Sequence, residues 1–326
     1  MKKIILGSLI LVLFVSGCID INNLGLSNCD IPFICQQNTV NVTKLGPDIL
    51  VIQNINVIPK GSVRPKDEFS VYFQVKNQEE NDIVSNVRYS LFDTGLCSFS
   101  GGTPINPKTI PPQLWDDGNF APAETKQGDW SFSAPSLEDI ANLRTVCPIK
   151  FKITYNYTSR SQVDIGLIDD VRLKELQRSG KDVSYSTNLN IGRGPIKIYF
   201  DFGGTLPARN NSNLSFYVRV VDEGSGLYTT IPKGKLSIQA PNMNSARPFQ
   251  NLECVSDYFG ICSQNGGVWM CSNSQKVIPL ISKKTFDIKC TLETPSTVNE
   301  EETRYINAYL PYDYDVIGSA SVEVKP

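Results

Sequence analysis

The chain has 326 residues, with 31 Lys and Arg against 33 Asp and Glu and a formal net charge of −2. That length accommodates two domains of ordinary size, and the balanced charge supplies no basic field to gather nucleic acid or anionic lipid. Histidine is absent, which removes every mechanism that leans on imidazole, from Ser-His-Asp triads to HExxH metalloproteases.

The chain opens on Lys2 and Lys3, an apolar run from Ile4 to Val15, and the small-residue exit Ser16-Gly17-Cys18. A basic start, a short greasy middle and small residues at the end describe an export signal. The run falls short of the roughly twenty residues that an apolar helix needs to cross a bilayer. Val15-Ser16-Gly17-Cys18 resembles the lipobox of prokaryotic surface lipoproteins, although leucine is commoner at the first position. In that family the cysteine sulfur is alkylated with a diacylglyceryl group and the chain is cut just before it. The resemblance implies a signal peptide over 1–17 and a membrane partner held through lipidated Cys18, on the extracytoplasmic face. Two acyl chains anchor stably where one does not. The alternative is an ordinary secretory peptide whose Cys18 joins a disulfide.

Residues 18–47 read as a tether, rich in Asn, Gln and Ser and without a sustained period. Cys29 and Cys35 are spaced to staple a small loop. Of nine cysteines, eight remain once Cys18 is set aside, an even number that suits disulfides in an exported chain. No CxxC pair exists and no His is available, so no metal is expected.

From Asp48 the sequence alternates. Phe69, Val71, Phe73 and Val75 share one parity, as do Val87, Tyr89 and Leu91, then Trp130, Phe132 and Ala134, then Ile149, Phe151, Ile153 and Tyr155. Strand side chains point to opposite faces, so each run is a half-buried strand. Short alternating strands between Pro/Gly/Asn turns predict an antiparallel β-sandwich over 48–168. Cys147 is in phase with Ile149 and Phe151, and we pair it with Cys97.

Residues 169–194 contain the one convincing helical stretch. Asp169 and Asp170 open it, Arg178 lies late and Gly180 stops it, as the helix dipole and C-cap prefer. It reads as a linker. From Gly194 the first plan restarts: Ile196 to Phe200, then Leu214, Phe216, Val218 and Val220, later Phe286, Ile288, Cys290 and Leu292, then Ile306, Ala308 and Leu310, with Ala320, Val322 and Val324 as a final strand. A diverged duplication with a second sandwich over 195–326 is the economical reading. Its cysteines Cys254, Cys262, Cys271 and Cys290 allow three pairings; nesting Cys262–Cys271 within Cys254–Cys290 is favoured.

Motifs for catalysis are sparse. There is no GxSxG elbow and no phosphate-binding loop, and no cofactor is expected. Trp115-Asp116-Asp117-Gly118 and Tyr312-Asp313-Tyr314-Asp315 offer carboxylate pairs for glycoside hydrolysis or calcium, although acids in such polar segments are usually turns. Asn41, Asn156, Asn210 and Asn213 begin N-glycosylation sequons at expected surface positions. Trp115, Tyr258, Trp269, Tyr305 and Tyr309 are aromatic candidates for docking sugars or proteins. The long stretches Ser98–Gly128 and Asn242–Cys271 would form a binding end.

The strand pattern over 48–168 and 195–326 resembles tandem immunoglobulin-like or CARDB-like surface proteins of archaea. The expectation is therefore an all-β chain, two tandem immunoglobulin-like sandwiches joined by a short helical linker behind a lipoprotein signal. What the resemblance implies is a structural or adhesive role without catalysis, with envelope polysaccharide or surface proteins as partners. An accessory, ligand-binding subunit of a surface complex is the alternative, and a carboxylate-dependent hydrolase stands third.

Overall fold

The computed structural model describes residues 48–79, 82–102, 108–112, 114–116, 119–121, 123–181, 183–242 and 246–326. Cys18, Cys29, Cys35 and Asn41 lie outside them. In the first half, β1 (Leu50–Ile58), β2 (Ser62–Val63), β3 (Glu68–Asn77), β4 (Val84–Asp93) and β5 (Ser98–Gly101) precede β6 (Thr109–Ile110), β7 (Leu114–Asp116) and β8 (Asn119–Ala121). Then come β9 (Thr125–Ser133), the long β10 (Thr145–Ile168) and helix α1 (Asp170–Arg178). The second half holds β11 (Leu189–Ile191), β12 (Ile196–Phe202), β13 (Ala208–Arg209), β14 (Asn213–Asp222), β15 (Thr230–Ile231) and β16 (Ser237–Pro241). It continues with β17 (Asn251–Val255), β18 (Ser263–Asn265), β19 (Val268–Ser272), β20 (Ile278–Pro279), β21 (Ile288–Glu293) and the long β22 (Glu301–Val324). Helix α1 apart, the described elements are all β.

Strict alternation over 24 residues builds β10 and β22. Odd-numbered residues from Cys147 to Leu167 and even-numbered residues from Arg304 to Val324 face inward, most of them aliphatic, aromatic or small, with Arg304 a buried charge. The two strands pair antiparallel without a bulge, from Thr145 opposite Val324 to Ile168 opposite Glu301. At a rise of ~3.3 Å per residue each is about 80 Å long. A slip of one residue would turn every inward side chain out to solvent.

This pair is the spine of a sheet ordered β18-β19-β16-β22-β10-β4-β6, with β11 and β13 beside β10 and β2 beside β22. Two four-stranded sheets, β1-β3-β9-β5 and β12-β14-β21-β17, cover its two ends. In the lower sandwich Phe73 of β3 lies 4.5 Å from Phe151 of β10 and Trp130 of β9 lies 5.0 Å from it (ring centroids). The Cys97–Cys147 disulfide closes a 50-residue separation there, a constraint worth about 4 kcal/mol by chain entropy. In the upper sandwich Cys254–Cys290 joins β17 to β21, and Cys262–Cys271 ties the following loop to β19.

The sandwiches are therefore two, but they are not strung end to end. The start of β10 and the end of β22 belong to the lower one, the other ends of both strands to the upper one. The boundaries expected at 168 and 195 cut across this shared spine. Ile306–Leu310 and Ala320–Val324, expected as separate strands, are one. The polar stretch between them looked like a turn, yet its parity never breaks: Tyr312, Tyr314, Val316 and Gly318 all face in. Pro311 is tolerated because Leu227 N–H donates to Asp315 O (3.1 Å) on the edge away from β10, so residues of that parity direct their backbone groups off the β10 ladder.

Helix α1 forms where expected. The Asp169 side chain caps it by accepting from Val171 N–H (2.8 Å), and Gly180 takes φ +69° just beyond its end. Only Leu173 of the helix is buried, so it is a surface crossover that feeds β11 back onto β10.

Phe151 touches aromatic rings from both facing strands, and Gly318 opposite it leaves no space for a Cβ. Phe151→Ala is expected to lower stability by about 3–5 kcal/mol, measured by urea unfolding. The exposed Phe92→Ala on β4 is expected to stay within about 0.5 kcal/mol of the parent.

Candidate binding groove at the waist

Midway along the spine the inward residues change from aliphatic to tyrosine and serine: Tyr155, Tyr157 and Ser159 on β10, Tyr312 and Tyr314 on β22. Their rings meet edge to face, Tyr155 with Tyr314 at 5.9 Å and Tyr157 with Tyr312 at 6.2 Å, and Tyr228 packs on Tyr312 at 5.4 Å. Three of the hydroxyls find polar partners, whereas those of Tyr155 and Tyr228 are buried without one among the described residues. Tyr157 donates to Glu79 (3.0 Å), Tyr314 donates to Asp222 (3.0 Å), and Tyr312 is hydrogen-bonded to Ser159 (3.2 Å). Burial pushes all three phenols well above their ordinary value, so they remain protonated donors.

Asp222, at the end of β14, anchors the loop that follows. Its Oδ1 accepts from Gly224 N–H (3.0 Å) as well as from Tyr314, and Lys283 Nζ stands 3.9 Å from Oδ2. Lys283 also donates to the carbonyls of Gly224 (2.7 Å) and Gly226 (3.4 Å), while Asp48 accepts from Ser225 N–H (3.1 Å). The loop presses so close that a Cβ at Gly224 would sit 2.2 Å from the Tyr314 hydroxyl, and one at Gly226 would sit 2.1 Å from Asp315 O. Glycine is required at both.

On the outer face of the same strands this pinned loop becomes one wall of a groove. The floor carries Lys152, Thr154, Asn156 and Thr158 of β10 with Pro311, Asp313 and Asp315 of β22; Ser85 and Arg88 of β4 rise on one side, Leu227 to Thr230 on the other. Two adjoining hollows of ≈ 550 and ≈ 570 Å³ share Leu227, Asp313 and Asp315. Asp315 accepts from Lys152 Nζ (2.7 Å) and from Thr154 Oγ1 (2.6 Å). Asp313 accepts from Asn156 Nδ2 and lies 3.8 Å from Arg88. The lining is thus amide, hydroxyl and compensated charge around an exposed Leu227. It suits a polyhydroxylated or peptide ligand better than an apolar one.

Tyr312-Asp313-Tyr314-Asp315 is therefore strand and not turn, and each acid is met by a cation and a neutral donor. A hydrolytic pair instead needs one carboxyl in apolar surroundings. In the other acidic segment, Asp116 pairs with Asn119 as β7 and β8 form a hairpin, and Asp117 and Gly118 lie outside the described residues.

The aromatic candidates are dispersed. Trp115 lies in β7. Tyr258 packs at a tilt against Phe286 (5.0 Å), and Trp269 of β19 donates to Phe249 O (2.9 Å). Tyr305 and Tyr309 occupy the outer face of β22 as expected but are half-buried, and neither lines the groove. The stretches 98–128 and 242–271 contribute β5 to β8 and β17 to β19, and β5 and β17 lie in the two different four-stranded sheets. Of the sequons, Asn156 is half-buried in the groove with its amide committed to Asp313. Asn210 is not a free surface amide either: it accepts from Asp170 N–H (3.2 Å) and donates to Ser296 O (3.2 Å). Asn213, at the start of β14, is exposed.

No protein-family model and no curated protein matches this sequence. Solved structures with some likeness include a Bacillus thuringiensis chitinase, at 11% identity over 77% of this chain and 28% of that chain, TM-score 0.19. Staphylococcus aureus collagen adhesin aligns at 9% identity over 86% of this chain and 97% of its own, TM-score 0.16. The C-terminal domain of the Streptococcus agalactiae AgI/II polypeptide BspA aligns at 8% identity over 81% and 93%, TM-score 0.15. At such scores the fold is argued from its own strand pairing, and the site from its own residues.

Two outcomes follow from this geometry. Expressed in a host that glycosylates exported proteins, the chain is expected to carry glycan at Asn213 and none at Asn156 or Asn210, read by glycopeptide mass. Burial raises the Asp222 carboxyl above its ordinary value. Between the unfolded and the raised folded value the native state binds the extra proton, so this residue's contribution to stability falls as pH rises through that window. Asp222→Asn is expected to flatten that fall when melting temperature is followed from acid to neutral pH.

Proposed function

We propose that the chain is an extracytoplasmic lipoprotein held to the membrane by a diacylglyceryl group on Cys18, with a structural or adhesive role at the cell envelope. The single observation that supports the structural part of this reading is the unbroken β10–β22 ladder. Two sandwiches that share 24 paired residues on each strand cannot bend at a linker, so load applied at one end is transmitted along hydrogen bonds to the other. Residues 18–47 would set the stand-off, at most about 100 Å if fully extended. Among the described residues no helix is long and apolar enough to cross a membrane.

The groove favours a second, compatible reading, in which the chain holds a ligand as an accessory subunit. Its converging amide, hydroxyl and charged groups suit envelope polysaccharide.

Replacement of Cys18 by Ser is the direct test. Release of the protein into the medium, with loss of the lipid mass from the mature N-terminus, is expected; unchanged membrane fractionation contradicts the anchor. For the groove, Arg88→Ala combined with Asp313→Ala is expected to weaken retention on isolated envelope polysaccharide by about tenfold, equivalent to ~1.4 kcal/mol, at unchanged melting temperature.

A further inference from the structure

The four cysteines of the upper sandwich lie closer together than two independent staples require. Cys254 and Cys290 face each other across β17 and β21. Cys262 is joined to Cys271 of β19, which belongs to the opposing sheet. The sulfurs of Cys254, Cys262 and Cys271 all fall within 4.8 Å of one another. Cys271 and Cys290 are fully buried. Cys262 is half-buried and, with Cys254, lines an open hollow of ≈ 520 Å³ bordered by Asp257, Phe259 and Gln275. Cys262 is thus the most exposed of the four cysteines, and the partner that its sulfur would release already stands beside the second disulfide.

We propose that this cluster is a thiol-exchange site that takes a small hydrophilic thiol at Cys262. The incoming thiolate attacks Cys262 Sγ and forms a mixed disulfide; the Cys262–Cys271 bond breaks and its electron pair leaves on Cys271. Cys271 thiolate then attacks Cys254 Sγ. A Cys254–Cys271 bond forms, the Cys254–Cys290 bond breaks, and Cys290 leaves as thiolate and takes up the proton that the incoming thiol lost. One thiol is consumed and one appears, so no oxidant or reductant beyond the entering thiol is needed. The consequence is mechanical: a bridge within one sheet, β17 to β21, becomes a bridge between sheets, β17 to β19.

The test incubates the folded, oxidised protein with one equivalent of glutathione, quenches with acid and N-ethylmaleimide, and maps the products by mass. Expected are glutathione on Cys262, maleimide on Cys290 and a Cys254–Cys271 cross-link. These should exceed adducts at buried Cys97 and Cys147 about tenfold or more, since access governs attack. Maleimide on Cys271 with Cys254–Cys290 intact overturns the transfer. Equal labelling of Cys97 and Cys147 marks global opening and overturns the site. In the double variant Cys254→Ser, Cys290→Ser the maleimide is expected on Cys271, and absence of glutathione from Cys262 there contradicts entry at that sulfur.

Discussion

The hydrogen-bonded ladder between β10 and β22 is the constraint on which the rest of the structure depends. Neither strand belongs to one sandwich alone. Each covering sheet of four strands finds its partner face on the same pair, so the aliphatic and aromatic parities of both halves must agree over 24 consecutive residues. Where two cores share a strand pair, register errors in one are errors in the other. Separate tandem domains have no such coupling, and their relative motion is the ordinary expectation.

The waist shows how the two cores are joined through a layer of packed tyrosine rings. Aliphatic side chains give way to tyrosines, which fill volume like core residues, and Tyr157, Tyr312 and Tyr314 reach polar partners with their hydroxyls. Through Tyr314 and Asp222 the interior holds the loop at Gly224–Gly226, and that loop supplies the wall of the groove on the outer face. A buried interaction thus sets the shape of an exposed surface. The groove's floor is rigid because it is the spine itself, and its acids are held in place by Lys152, Thr154, Asn156 and Arg88.

Much of this was legible in the sequence. Period-two alternation located Phe69–Val75, Trp130–Ala134, Ile149–Tyr155 and Leu214–Val220 on strands with the correct face inward, because burial on one side only is a local signal. The Asp169–Gly180 helix was legible for the same reason, its caps being local. What the sequence hid was continuity. Pro311 and the Asp313 and Asp315 acids look like a turn unless one knows which backbone edge they face, and that depends on the partner strand. The groove was hidden likewise: Asn156 and Asp313 are 157 positions apart and meet only through the register. Asn210 reads as a surface sequon because nothing in its neighbourhood of sequence announces Asp170 or Ser296.

The central claim, that the shared spine makes the two sandwiches one cooperative body, is tested most directly by calorimetry on residues 48–326 with the disulfides intact. The account predicts a single unfolding transition whose calorimetric and van't Hoff enthalpies agree. Two resolved transitions, with one sandwich melting while the other stays folded, would contradict it.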